Sequence, residues 1–464
     1  MRVIVSILFL AALALAQSGR VAPVAGKADA DGPSAEQLFK EADTYQRTKF
    51  LEYEKSKIPY SEKLHRETIR EQKIVAAKNA AILAARQSIA DGDQYFLGML
   101  HWLAGNEDGA ATALRKFTGS PEPPADRLQS ARHVIVIIDA RRRAFDEAEK
   151  ILAAYLVTDP IELNQRIKME SALAQAYRAE AKWPQALVHA EDAYRLSKAN
   201  FQKFSSRALA LQDLHDFGSL IYDIHRDAGE TAKAEKALWE LRKTAAFVES
   251  TTIYYWSVDK MVALLTETGR KEQALTYYQK ALIESQTDFP SKAWRDDILR
   301  RLKKREKQYL LLGEPAPALE SVAQWLTADA KPLADLRGKV ILIDFWATWC
   351  GPCYKTFPLL SKWQSELQKD GLVVLGLTRF YGQANGSKLE EPEEIEYLRE
   401  FRAQQEMNYE VVVSRDMTNQ VNYDALALPT VVLIDRKGTI RYLETGTGKE
   451  EELERSLRRL LAEK

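Results

Sequence analysis

The chain has 464 residues, 46% of them apolar, which excludes a fully disordered polymer and suggests two or three domains. Basic and acidic side chains both number 66, so there is no bulk positive charge for a nucleic-acid backbone and no nucleic-acid partner is expected. Only two cysteines occur, Cys350 and Cys353, which excludes a multi-disulfide scaffold and a cysteine-rich zinc or iron–sulfur site.

Residues 1–16 read as a signal peptide. Arg2 supplies the charged start, Val3 to Leu13 is apolar apart from Ser6, and Ala14-Leu15-Ala16 places small residues where a signal peptidase reads them. The run is short for a bilayer span, and no later stretch is long and apolar enough to make one. The expectation is an exported protein, periplasmic or otherwise extracytoplasmic, soluble after cleavage; an uncleaved anchor is the other reading. Exported chains usually use cysteine pairs as staples, and one close pair makes a poor staple.

Residues 17–33 are small and polar, a flexible leader. From 34 to 308 alanine, leucine and charged residues dominate in a helical pattern. Within it Gly269 precedes Ala274 by five residues, and Tyr278 and Ala281 follow. This resembles the second helix of a tetratricopeptide repeat, in which a small alanine lets antiparallel helices approach. Looser copies place alanines at 110, 148, 186 and 234, so that the five are spaced by 38, 38, 48 and 40 residues against a usual period of about 34. An all-α helical-repeat array is expected over 34–308, with a protein partner on its surface. The basic run Arg300, Arg301, Lys303, Lys304, Arg305 and Lys307 reads as a solvated helix face. Pro315 and Pro317 mark a linker, 309–320, and 321–464 alternates β-rich runs with helices, as an α/β domain does.

The chemistry lies in Lys339 to Pro358. A buried strand leads into Trp349-Cys350-Gly351-Pro352-Cys353, with a helix expected to follow directly. A cysteine at a helix N-terminus has its thiolate stabilised by free N–H groups and the helix dipole. The spacing lets Cys353 face back, so that Cys350 attacks a disulfide and Cys353 resolves the mixed disulfide. Asp344, six residues before Cys350 on an apolar strand, is expected to be desolvated, with a raised pKa, and to exchange the resolving cysteine's proton.

With Ala427-Leu428-Pro429-Thr430 and the VVLIDRKGTI that follows, residues 313–464 resemble the thioredoxin superfamily, and in particular the exported thiol–disulfide oxidoreductases of the TlpA and ResA type within the redoxin group. The resemblance implies a thioredoxin fold in the C-terminal domain. It implies a cis Pro429 beside the cysteines, presenting the Leu428 backbone to an extended substrate. Trp349, Gly351 and Pro352 would line the substrate side, with Trp349 shielding the sulfurs. Two positions depart from the pattern: Thr356 stands where many TlpA-type reductases carry glutamate, and the lysine that pairs with the buried aspartate in thioredoxin falls near Gly376, with Arg379 the nearest basic residue. Gly351-Pro352 in place of a histidine points to the reducing end of the family. Residues 381–394 read as a polar loop that could shape partner choice.

Other chemistries fit poorly. Tyr354 rather than histidine follows Cys353, which excludes a c-type haem site, and the six histidines show no ligand spacing. No cofactor and no metal is expected. The reading is an exported thiol–disulfide oxidoreductase, a reductase of protein disulfides fed by a membrane or soluble thiol donor. A redox-switched interaction scaffold, or an oxidase or isomerase, are its rivals.

Overall fold

The computed structural model describes residues 32–201, 207–327, 331–384 and 386–463. The expected signal peptide, 1–16, and nearly all of the leader, 17–33, lie outside them. Among the described residues no helix is long and apolar enough to cross a membrane. The chain divides into two compact units, Met1–Ala237 and Leu238–Lys464.

Fourteen helices lie between Ala35 and Leu311 among the described residues, as the helical pattern predicts. In the first unit Leu83, Leu100, Leu114 and Ile135 share one core, and Leu152, Tyr155, Leu173 and Tyr177 another. Among the described residues several inter-helix turns share one geometry, and five of them precede a buried alanine. Gly105, Arg143, Ala181, Gly229 and Gly269 take left-handed φ values of 81, 63, 53, 76 and 76°. The next N–H in each turns back to a carbonyl five residues earlier, as from Asn106 to His101 at 2.9 Å and from Arg270 to Leu265 at 2.8 Å. That bond closes a helix C-terminus and starts the next helix at a fixed angle. Five residues beyond each left-handed residue stand Ala110, Ala148, Ala186, Ala234 and Ala274, each the fourth residue of its helix and each fully buried. The alanine spacing thus reports a recurring turn, including two turns that carry no glycine.

The second unit takes in the helices Thr251–Glu267, Lys271–Asp288 and Lys292–Leu311 together with a sheet. Its strands are β1 (Val322–Trp325), β2 (Val340–Phe345), β3 (Leu372–Arg379), β4 (Gln383–Ala384), β5 (Ser387–Lys388), β6 (Glu410–Ser414), β7 (Thr430–Ile434) and β8 (Ile440–Thr445). Six of them form one sheet in the order β1-β6-β3-β2-β7-β8. The β2–β3 and β3–β6 pairs are parallel, and β1, β7 and β8 join antiparallel. Strand β2, Val-Ile-Leu-Ile-Asp-Phe, is buried at every position, which is why it sits mid-sheet. Helices Phe357–Leu367, Glu391–Gln404 and Glu450–Ala462 contribute Leu360, Trp363, Leu398, Phe401, Leu453 and Leu457 to the core over it.

The passage between array and sheet differs from the expected linker and charged face. The helix continues to Leu311. Beyond it, Gly313 and Ala316 donate to the carbonyls of Ile440 and Gly438, and Ile440 donates back to Glu314. The prolines hold this segment extended, and it pairs along the start of β8. In the basic run, Arg300 and Lys303 face solvent and pair locally with Asp297 and Glu306. Arg305 is instead 9% exposed, with Nε 3.1 Å from Asp259 and Nη2 3.3 Å from Glu444. Two carboxylates distant in sequence draw one arginine of a charged run into the interior.

Candidate active site

Strand β2 ends at Phe345, and a loop carries the chain to Cys350. Cys350 and Cys353 form a disulfide with Cα atoms 5.4 Å apart. Cys353 is fully buried and Cys350 nearly so. Cys350 caps a 3₁₀ turn, Gly351–Lys355, and the α-helix starts only at Phe357, later than the sequence suggests. Two features separate turn from helix. The N–H and the hydroxyl of Thr356 both bond the Cys353 carbonyl, at 3.0 and 2.8 Å. Pro358, next to the helix start, has no N–H to continue an i→i−4 ladder back into the turn. Thr356, where a glutamate was the alternative, therefore shapes the turn and brings no carboxylate to the sulfurs.

Alternation along β2 puts Val340, Leu342 and Asp344 on the face covered by the helix that follows the cysteines. Asp344 is fully buried, and neither of its carboxylate oxygens has a hydrogen-bond partner. Burial pushes its pKa up from 3.8 to about 7. Its neighbour across the strand pair is Gly376. A Cβ on Gly376 would stand 3.0 Å from both Trp346 Nε1 and Tyr409 Cε2, so two aromatic side chains fill the space where a side chain would begin. Burial, and then the neighbouring Asp344 carboxylate, raise the Tyr409 phenol well above its usual range. Arg379 turns elsewhere, with Nε 3.0 Å from Gln420 and Nη1 3.0 Å from the Phe380 carbonyl. Asp344 is thus held in a low-dielectric pocket without a basic partner.

Leu428–Pro429 is a cis peptide. Strand β7 starts with Thr430 opposite Phe345, so Pro429 stands at the end of the sheet from which the cysteine loop leaves. Leu428 packs partly against the core that holds both cysteines. Gly351 and Pro352 are exposed. Trp349 is 60% exposed and meets the ring of Tyr381 edge-on at 5.3 Å, so much of its indole faces outward beside the cysteine loop.

Tyr381 is the residue that sequence reasoning passed over. It opens the polar insert, which contains the β4–β5 hairpin. The buried Glu394 carboxylate accepts from the N–H groups of Tyr381 and Gly382, at 2.8 and 2.9 Å. The Arg379 guanidinium stacks 4.1 Å from its ring centroid. The insert is anchored at its base and places an aromatic wall beside Trp349. An aromatic residue next to Gly382 was the only local sign of it.

Residues 311–461 match the family model described as Redoxin. The chain is 29% identical over 145 residues to "Thioredoxin-like protein YneN" of Bacillus subtilis, covering 31% of this chain and 78% of that protein. It is 28% identical over 152 residues to "Thiol-disulfide oxidoreductase ResA" of Geobacillus kaustophilus, covering 33% and 79%. A solved thiol-disulfide isomerase from Corynebacterium glutamicum is 25% identical, covering 32% of this chain and 98% of that one, with a TM-score of 0.28. The last third of the chain is a redoxin domain of the thioredoxin-like, thiol–disulfide oxidoreductase kind.

Proposed function

We propose that the protein is an exported disulfide reductase whose dithiol is Cys350 and Cys353. The Cys350 thiolate attacks a substrate disulfide; a Cys350–substrate S–S bond forms, and the substrate's first sulfur leaves as thiolate. Asp344 then takes the proton of Cys353. The Cys353 sulfur attacks Cys350 Sγ, and the substrate's second sulfur leaves with the electron pair. The substrate disulfide is reduced by two electrons, and the protein is left with the 350–353 disulfide. An external thiol donor restores the dithiol.

Each group suits its step. Cys353 is the more deeply buried sulfur, as a resolving cysteine that should ignore other disulfides would be. A carboxylate with a pKa near 7 can both accept and return a proton at neutral pH. Leu428 and Pro429 lie at the sheet end beside the cysteine loop, where an extended substrate can pair with the Leu428 backbone. Trp349 and Tyr381, with Gly351 and Pro352 exposed between the cysteines, give the substrate an apolar landing surface. The helical repeats, tetratricopeptide-like in their turns and buried alanines, hold the client or the thiol donor. The signal peptide at 1–16 delivers the chain to an extracytoplasmic compartment.

The observation that most supports the reading is the Cys350–Cys353 pair on the same side of β2 as a buried, unpaired carboxylate. The test is reduction of insulin disulfides with a dithiol as electron source. Wild type should turn over, Cys350→Ser should not, and Cys353→Ser should trap clients as mixed disulfides through Cys350. Wild-type protein inert toward both insulin and a small aromatic disulfide would sink the proposal.

A further inference from the structure

Beyond the dithiol, the redoxin domain of this chain is bonded to the last helix of the array. We infer that Gln308, on helix Lys292–Leu311, is a positioning residue for the substrate-aligning segment Ala427–Pro429, acting through Thr445 and Thr430.

The hydrogen bonds from Arg305 to Ala427 form one path. Arg305 is fixed by Asp259 and Glu444 and donates through Nη1 to Gln308 Oε1. That bond orients the Gln308 amide, so its nitrogen must point the other way. Gln308 Nε2 donates 3.1 Å to the carbonyl of Asp424 and 3.2 Å to Thr445 Oγ1. Thr445 Oγ1 lies 2.9 Å from Thr430 Oγ1. Thr430 Oγ1 donates 2.7 Å to the carbonyl of Ala427. A hydroxyl has a single proton. Since Thr430 gives its proton to Ala427, Thr445 must be the donor of the Thr445–Thr430 bond, and it can do so while accepting from Gln308. All the bonds run one way, from a buried arginine on a helix to the carbonyl two residues before Pro429.

The same helix holds the other side of the segment, since Lys307 Nζ donates to the Val421 carbonyl. Gly446 N–H reaches the Pro429 carbonyl at 2.8 Å from the end of β8. Residues 421–430 are thus tied at 421, 424, 427 and 429, besides the bond of the Tyr423 hydroxyl to the Pro317 carbonyl, and the ties at 421 and 424 come from side chains outside the redoxin match, which spans 311–461. Gln308 is 5% exposed, so its bonds are protected from water. A dry, oriented amide transmits direction as well as contact, because reversing one donor reverses each hydroxyl after it.

This inference rests on the proposed role of Leu428–Pro429 in aligning substrate. It is tested in the full chain by steady-state reduction of insulin and of a small aromatic disulfide that needs no backbone alignment, alongside the thermal midpoint and the Cys350 thiol pKa. Gln308→Glu keeps shape and the Arg305 bond but cannot donate, so Thr445 must turn toward it and Thr430 must abandon Ala427 or Thr445. The expected result is a KM for insulin about fivefold higher, the worth of one hydrogen bond of about 1 kcal/mol. Turnover of the small disulfide and the Cys350 pKa should stay at wild-type values. Thr430→Val, which removes the donor to Ala427 itself, should give the same KM, Thr430→Ser should restore it, and Gln308→Glu with Thr430→Val should cost no more than either alone. Equal losses on both substrates, additive losses, or an unchanged KM for insulin would each overturn the inference. Failure of the wild-type protein to reduce either disulfide would instead overturn the reductase reading.

Discussion

Asp344 is the residue whose chemistry can be read most directly in a titration. Its folded pKa, about 7, lies above its ordinary value of 3.8. The folded state therefore holds a proton that the unfolded chain releases between about pH 4 and 7. Below pH 4 the carboxyl is neutral in both states and costs nothing as a charge. Through that window the buried charge destabilises the fold increasingly, up to about 4 kcal/mol above pH 7. Asp344→Asn should thus raise the denaturant midpoint at pH 8 and leave it unchanged at pH 3.5; a pH-independent gain would contradict the burial argument. The same variant should slow disulfide reduction by about a hundredfold, the usual worth of a positioned proton acceptor. Pro352 offers a second measurement. It is exposed between the cysteines, so Pro352→His needs no repacking. A cation there favours the reduced thiolate, and the reduction potential should rise by at least about 30 mV, a tenfold change in the equilibrium constant. A potential equal to or below wild type would show that the dipeptide does not set the poise.

At the scale of elements, the turns and the last array helix carry the information. Arg143 and Ala181 adopt the left-handed backbone that Gly105, Gly229 and Gly269 adopt without penalty. Ala181→Gly should therefore stabilise the array by about 1 kcal/mol in chemical denaturation, and Gly229→Ala should lower stability by a similar amount. Arg305→Met should cost about 3 kcal/mol or more, because it strips the buried Asp259 of its paired cation, leaving it the Tyr309 hydroxyl, and leaves Glu444 to Lys449 alone. These residues also show where the sequence was legible. The five alanines stood out because one local turn dictates one spacing. Cys350, Cys353 and Asp344 stood out because a strand, a turn and a dithiol fit into ten residues. Pro429 lies 76 residues beyond Cys353, and only the family resemblance linked it to them. The left-handed Arg143 and Ala181 were hidden, since their side chains do not advertise the backbone they take. Arg305 was hidden for a different reason. The carboxylates that bury it are 46 and 139 residues away, and a run of basic residues reads the same whether one of them is buried or none. Tyr381 and Gln308 depend likewise on partners that only the fold brings together.

For the molecule as a whole, the compact unit that contains the dithiol begins at Leu238, some seventy residues before the redoxin match. Lys260 pairs with Glu452, Arg305 with Glu444, and the Gln308 amide with the Asp424 carbonyl. A fragment cut after Leu312 would leave those acidic and carbonyl groups without their partners. Fragment 238–464 should unfold in one transition, whereas 313–464 should unfold at a clearly lower urea concentration. Equal midpoints would mean that the array's last helices are passengers.

Gly376 sets a limit on how this proton site can be re-engineered. Its missing Cβ is already crowded out by Trp346 Nε1 and the Tyr409 ring, each 3.0 Å from where that atom would sit. Grafting a cation at 376 to neutralise Asp344 would drive a side chain into two rigid indole and phenol rings. Such a swap has to begin with smaller residues at both 346 and 409, so the three positions form a locked set that can be exchanged only together. In a mutational scan, lysine at 376 should be rejected on the native background and tolerated only after Trp346 and Tyr409 have both been trimmed.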